Sequence, residues 1–393
     1  MRKFTTFGAI AVLGVAALAG CGSDDNDTET AASGGGSTAA QTADGPVSAD
    51  NVAAAKAEVE KHLQVPAFEP GGEALDVASL KGKTIYSIPI TLAIPFYKDG
   101  EAAMKQAAEK AGLKYVTYPS QGKVSDFQQG FADAINAKAS VIILNGPLPD
   151  TLQPQIKKAQ AAGIKVIAAH EEDVAQPVPA GVDAVAAAEF YNGARLMVDN
   201  AIADRNGEAV NALVITSNDT RPSKGMGDAI KDQLKKRCGD ECKVTMTNVP
   251  VADWAAKVQG EVQSALNRDG EINTVLPIFD SMIQYVDPGV RQAGGDRDIK
   301  SYSFNGTPSL NSFLTNDRST FEANVGEDPL WIAYLTMDQA FRLMLDKEPI
   351  DKPAAPLRIF NADNAADQGD PPAIGKGYGD EYIPGYEKLW GLQ

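Results

Sequence analysis

The 393-residue chain carries 36 Lys+Arg against 52 Asp+Glu, a formal net charge of −16. That balance argues against nucleic acid as a partner, because phosphate-backbone binding needs clustered Lys and Arg. The 44% hydrophobic and 22% charged fractions exclude wholesale disorder, and roughly 150 residues per domain suggests about two or three domains.

Met1-Arg2-Lys3 precede an apolar stretch from Phe4 to Gly20, followed by Cys21. Two cations, a short apolar run and small residues at its end read as a secretory signal over residues 1–20, too short for a membrane span. The ending Leu18-Ala19-Gly20-Cys21 resembles the bacterial lipobox, which implies that Cys21 is acylated and anchors the protein to the extracytoplasmic face of the cell membrane. The alternative is an ordinary signal peptide with an incidental cysteine. Residues 21–46 then read as a flexible tether, with the run Ser33-Gly34-Gly35-Gly36-Ser37 and a reach of about 25–30 Å for about 25 residues. Residues 47–80 form an accessory segment in which Ser48 or Asp50 caps a helix over Val52 to Leu63, followed by a Pro- and Gly-marked passage. Acidity concentrates here, since residues 22–80 hold 11 acids against 2 Lys.

From Lys81 the pattern changes to short β-rich runs alternating with longer helical ones. Strands are predicted to begin near Thr84, Lys114, Ser140 and Lys165, spacings close to one βαβ unit. Helices lie between them near 97–111, 124–137 and 150–162, with Gly112 and Gly163 as stops. Val141-Ile142-Ile143-Leu144 is continuously apolar, as a parallel strand covered on both faces requires. A second series follows, with helices near 190–205, 223–237, 253–267 and 281–293 and strands near 211–216, 243–248, 273–279 and 300–304. Within it Cys238 and Cys242 read as a local disulfide pinning a helix-to-strand turn, reduced thiols being the alternative. With His only at 62 and 170, the sequence offers no metal site, and no cofactor is expected. A long helix over 329–346 comes next, and a Gly-, Pro- and Asp-rich tail from Asn361 to Pro384 reads as a surface wrap. Two such series predict an α/β protein of two doubly wound parallel-sheet lobes.

Over about residues 81–361 the body resembles the type I periplasmic solute-binding proteins, in the branch that binds ribose and other monosaccharides. The stretches that carry the resemblance are Ile94-Pro95-Phe96-Tyr97, Ala162-Gly163-Ile164-Lys165-Val166-Ile167 and Phe304-Asn305-Gly306-Thr307-Pro308, in order and after the lipobox. The resemblance implies lobes joined by a three-crossover hinge that close around a solute. The first lobe would hold 81–188 and 328–356, the second 189–327 and 357–393. It also implies a monomer that delivers a small-molecule solute to an ABC permease, with no catalysis.

Ligands in open α/β sheets bind beyond the carboxyl ends of the strands. By match to the family pattern, Phe96 and Tyr97 after the first strand and Trp254 on the opposite lobe are the stacking aromatics. The polar positions depart from that pattern: His170-Glu171-Glu172 replace an Asp-Arg pair, Phe279 precedes a retained Asp280, Asn305 replaces Asp, Glu327 replaces Gln, and Arg221 and Lys224 stand near an expected Arg. Two small polar positions read Ile90 and Ile94. The predicted binding set is therefore Phe96, Tyr97, His170, Glu171, Arg221, Trp254, Phe279, Asp280, Asn305 and Glu327. Aromatic walls with carboxylates suit a monosaccharide, whose hydroxyls donate to carboxylates, and alternatively an ammonium-bearing solute in a cage. The bland reading of each acid is an ion pair with Arg221 or Arg291, or a place in solvent. A ligand sensor for a membrane receptor has the same binding chemistry. An envelope glycoside hydrolase using Glu171 and Glu327 as paired acids is the remote alternative.

Overall fold

A computed structural model describes residues 45–69 and 71–393. The signal segment, Cys21 and nearly all of the tether lie outside the described residues. The elements in order are α1 (Ala49–Leu63), β1 (Thr84–Pro89), α2 (Pro95–Lys110), β2 (Lys114–Thr117), α3 (Val124–Asn136), β3 (Val141–Asn145), α4 (Gln153–Ala161), β4 (Lys165–Asp173) and β5 (Ala184–Ala188). They continue with α5 (Phe190–Arg205), β6 (Asn211–Thr216), α6 (Pro222–Cys238), β7 (Lys243–Asn248), α7 (Trp254–Arg268), β8 (Thr274–Pro277), α8 (Ile283–Ala293) and β9 (Lys300–Asn305). The last are α9 (Asn311–Leu314), β10 (Phe321–Gly326), α10 (Pro329–Met344), β11 (Arg358–Asn361) and α11 (Tyr382–Leu389).

Two sheets organise these elements into two α/β lobes. The first has strand order β2-β1-β3-β4-β5 and the second β11-β10-β9-β8-β6-β7. Every pairing is parallel except β10 with β11. All five residues of β3 are buried, because helices cover both faces of the sheet. Cys238 and Cys242 are disulfide-bonded, with Cα atoms 5.6 Å apart, where α6 turns towards β7.

The chain passes between the lobes after β5, between Gly326 and Pro329, and again just before β11. Residues outside this core add two further passages. Helix α1, capped by Ser48, whose Oγ accepts from the Asn51 amide at 3.3 Å, lies on the second lobe. There the Arg358 guanidinium donates to Leu63 O at 3.1 Å and Lys56 to Asn206 at 2.8 Å. The chain then reaches the first lobe, where Arg342 donates to Gly71 O at 3.1 Å and the Leu75 amide to Leu389 O at 2.7 Å. The tail makes the same passage: Tyr378 sits on Phe360 of β11, at 5.3 Å between centroids, whereas α11 lies on α10. Assigning 357–393 wholly to the second lobe is thus corrected for its final segment.

Helix α10 explains both passages. Every residue from Pro329 to Leu343 is buried, so the helix is covered on every side. Helix α2 and strands β4 and β5 cover the inner side, and residues 64–80 and the tail cover the rest. Trp331 stacks on Tyr382 at 4.3 Å and meets Phe68 at 5.7 Å, while Trp390 stacks on Tyr334 at 5.2 Å and donates its indole N–H to Asp338 at 2.8 Å. Trp390 is 1% exposed. Trp390→Ala is expected to lower unfolding stability by about 3–5 kcal/mol, read as a lower midpoint in urea.

Candidate functional site

The site forms where β1 and β4 of one lobe face β6, β8 and β9 of the other at their carboxyl ends. Pro95 at the first turn of α2 presets the helical backbone and places Phe96 and Tyr97 beside the cleft. On β4 the pairing with β5 is regular up to Ala169↔Ala186 and resumes only at Asp173↔Ala188, so β4 carries two extra residues. His170 accommodates the break with φ 56°. A bulge of this kind abolishes the alternation of side chains and re-aims them individually.

Four consecutive buried residues consequently have four destinations. The His170 ring lies between Phe96 (4.5 Å) and Phe190 (4.9 Å), and its Nε2 bonds Glu327 Oε1. Glu171 faces the cavity, and its carboxylate accepts a long 3.4 Å contact from the Arg221 backbone amide. Glu172 turns to the Arg221 guanidinium, with Nε and Oε1 2.6 Å apart, close in distance although not aligned as a hydrogen bond. Asp173 accepts the amides of Ala175 and Tyr191, both at 2.8 Å, and so ties β4 to the first turn of α5.

Between the lobes lies a narrow cavity of about 30 Å³. Of the ten expected residues, Phe96, Tyr97, His170, Glu171, Trp254, Phe279 and Asn305 line it. Trp254 is held by its indole N–H, which donates to Ser217 Oγ at 2.8 Å, and it tilts against Phe279 at 6.1 Å. Ile90, Ile94, Phe190 and Val251 complete much of the apolar wall, and Thr220, Pro222 and Ser281 the rest. Phe190 and Ser281 were legible in principle, since each stands just beyond a strand end or crossover. The cavity opens on a wider outer cleft bordered by Gln121, Lys123, Asp219 and Tyr285.

Three expected residues do not line the cavity. Asp280 is fully buried and saturated: the Thr307 amide donates at 2.7 Å, the Thr307 hydroxyl at 2.8 Å and Asn324 Nδ2 at 2.9 Å. Burial raises its pKa to about 6, with those donors pulling it back. Glu327, also fully buried, bonds His170 beneath the aromatic layer and accepts a 3.4 Å contact from Asn305 Nδ2. Arg221 caps α6 and reaches over the cleft to Glu172 and to Asp150 at 2.7 Å. It joins the lobes rather than offering its charge to the cavity.

The family comparison decides the broad class. The model of the periplasmic binding protein domain matches residues 85–348, more than half of the 393-residue chain. The chain belongs to the periplasmic binding protein domain family. Its fold matches those of solved ABC transporter binding proteins. One is an ABC sugar transporter subunit from Rhodobacter sphaeroides 2.4.1, with TM-score 0.64, 19% identity, and coverage of 72% of this chain and 100% of that one. Another is the 5-methylthioribose transporter solute-binding protein from Thermotoga lettingae TMO, with TM-score 0.66, 19% identity, and coverage of 79% and 98%. A third is a Mycobacterium smegmatis solute-binding protein with bound glycerol, at TM-score 0.66, 18% identity, and coverage of 75% and 100%. Comparison with curated proteins returns no significant match. Family and neighbours alike are solute-binding proteins, not enzymes, and the cavity of this binding-protein fold lies where the two lobes meet.

Two outcomes follow from the contacts that bridge the lobes. Arg221→Ala leaves Glu172 buried without its cation, so the ligand-free lobes should spend more time apart. This is read as longer separations between spin labels on exposed Lys157→Cys and Lys257→Cys, with Arg221→Lys intermediate. The second outcome is pH dependence. Burial raises Glu171 well above the usual carboxylate range and raises Glu172 to about 7. Parting the lobes rehydrates both and returns them towards ordinary values, so the closed form binds more protons. Acidification from pH 8 to 6 should therefore shorten the label separation, an effect lost as pH rises through about 7.

Proposed function

We propose that this protein is the lipid-anchored extracytoplasmic receptor of an ABC importer, capturing one small solute between its lobes and presenting the closed form to a membrane permease. The observation that carries the proposal is the cavity itself: its walls come from both lobes, Phe96, Tyr97 and Glu171 from one and Trp254, Phe279 and Asn305 from the other. A solute touching both sets makes its full contacts only when the lobes are closed, so binding shifts the hinge equilibrium towards closure by the difference in affinity. The signal and lipobox-like ending at Cys21 support export and anchoring.

The solute is of monosaccharide size. The fold neighbours' bound 5-methylthioribose and glycerol, together with the D-arabinose in a Burkholderia graminis relative, support that size class. Trp254 and Tyr97 supply flat surfaces for an apolar face of the solute.

The test is a thermal-shift screen of the purified mature protein against sugars, polyols, amines and amino acids, because a solute bound only by the folded state raises apparent stability. A stabilising solute should also shorten the Lys157–Lys257 label separation. Trp254→Ala should weaken its binding about tenfold or more. Stabilisation without any change in separation would contradict capture by closure.

A further inference from the structure

Resting on the reading of the cleft as a solute site, we propose that its solute is a compact organic cation, a protonated or quaternary amine whose nitrogen sits against Glu171 with its apolar body between the aromatic walls. The composition of the cavity leads there. Nine of its fourteen lining residues are aliphatic or aromatic, and none is Lys or Arg. Part of the polar minority is engaged already: Thr220 Oγ1 donates to Ser217 O at 2.9 Å, His170 Nε2 bonds Glu327, and Asn305 Nδ2 points to Glu327 at 3.4 Å, while His170 Nδ1 is left without a partner.

A solute with a hydroxyl on every carbon would bury several of them here without partners, at about 1–3 kcal/mol each. One group in the cavity has the opposite need. Glu171 is 1% exposed, and its nearest guanidinium, on Arg221, is committed to Glu172 and Asp150. A buried carboxylate without a cation is costly, and a cationic solute supplies the missing charge at this position. Tyr97, Phe96, Trp254 and Phe279 line the same space, where a cation–ring contact adds about 0.5–2 kcal/mol.

The experiment is titration calorimetry on the unaltered mature protein at pH 7. The probes are choline and butylamine as cations, and ribose, arabinose and glycerol as neutral solutes. The inference expects saturable binding of a cationic probe, the neutral solutes being inert, and affinity for the cation reduced about 10- to 100-fold by Glu171→Gln. The choice of cation over neutral solute is read on the unaltered protein and does not depend on how well that variant folds. Saturable binding of a neutral sugar, with the cations inert, would overturn the inference and leave the receptor reading in place. Inertness of every probe, joined to a thermal-shift screen without a hit, would overturn both.

Discussion

The break in β4 between Ala169 and Asp173 is the constraint on which the functional half of the molecule depends. A regular strand would send His170 and Glu172 to one face and Glu171 and Asp173 to the other. The two extra residues release them from that alternation, and each of the four settles a different junction between the lobes. His170 fixes the second crossover through Glu327, Glu171 faces the solute space, Glu172 meets Arg221 from the opposite lobe, and Asp173 holds the start of α5. One short segment therefore joins the first sheet to the hinge, the cavity and the other lobe at once.

Desolvation sets the character of these junctions. All four side chains are at most 3% exposed, so each ionisable group needs a compensating partner. Asp173 obtains two amides and Glu172 a guanidinium; Glu171 faces the cavity with one long amide contact. Arg221 illustrates the same economy from the other side, its charge shared between two acids of the first lobe. The electrostatics of closing are thus internal to the protein, apart from the carboxyl that faces the cavity.

Much of the scaffold was legible in the alternation of apolar strand runs and helical stretches. Val141 to Leu144 and Gly112 and Gly163 stand where pattern and stop signals put them. The strand-end rule likewise found Phe96, Tyr97, Glu171 and Trp254 at the cavity. What escaped has identifiable causes. Strand β5, Ala-Val-Ala-Ala-Ala, has almost no β-branched content and extends only because β4 and the Ala354 bridge hold it. Strand β11 is an antiparallel addition after a helix, outside the βα rhythm. Asp280 and Glu327 read as solute contacts because they follow strands. Their oxygens are taken up by Thr307 and Asn324, 27 and 44 residues away, and by His170, 157 residues away, and no local pattern reports such partners. Similarly, the role of 64–80 depends on α10 needing cover on its outer side, a property of the folded helix pair rather than of the segment's own composition.

The measurement that tests this account most directly is a crystal structure of the mature protein with its solute bound. The account predicts a solute atom within hydrogen-bonding or ion-pair distance of the Glu171 carboxylate, with the Tyr97 and Trp254 rings on either side and Arg221 still bridging Glu172 and Asp150. A solute seated only in the outer cleft beside Lys123 and Tyr285, with Glu171 untouched, would contradict it.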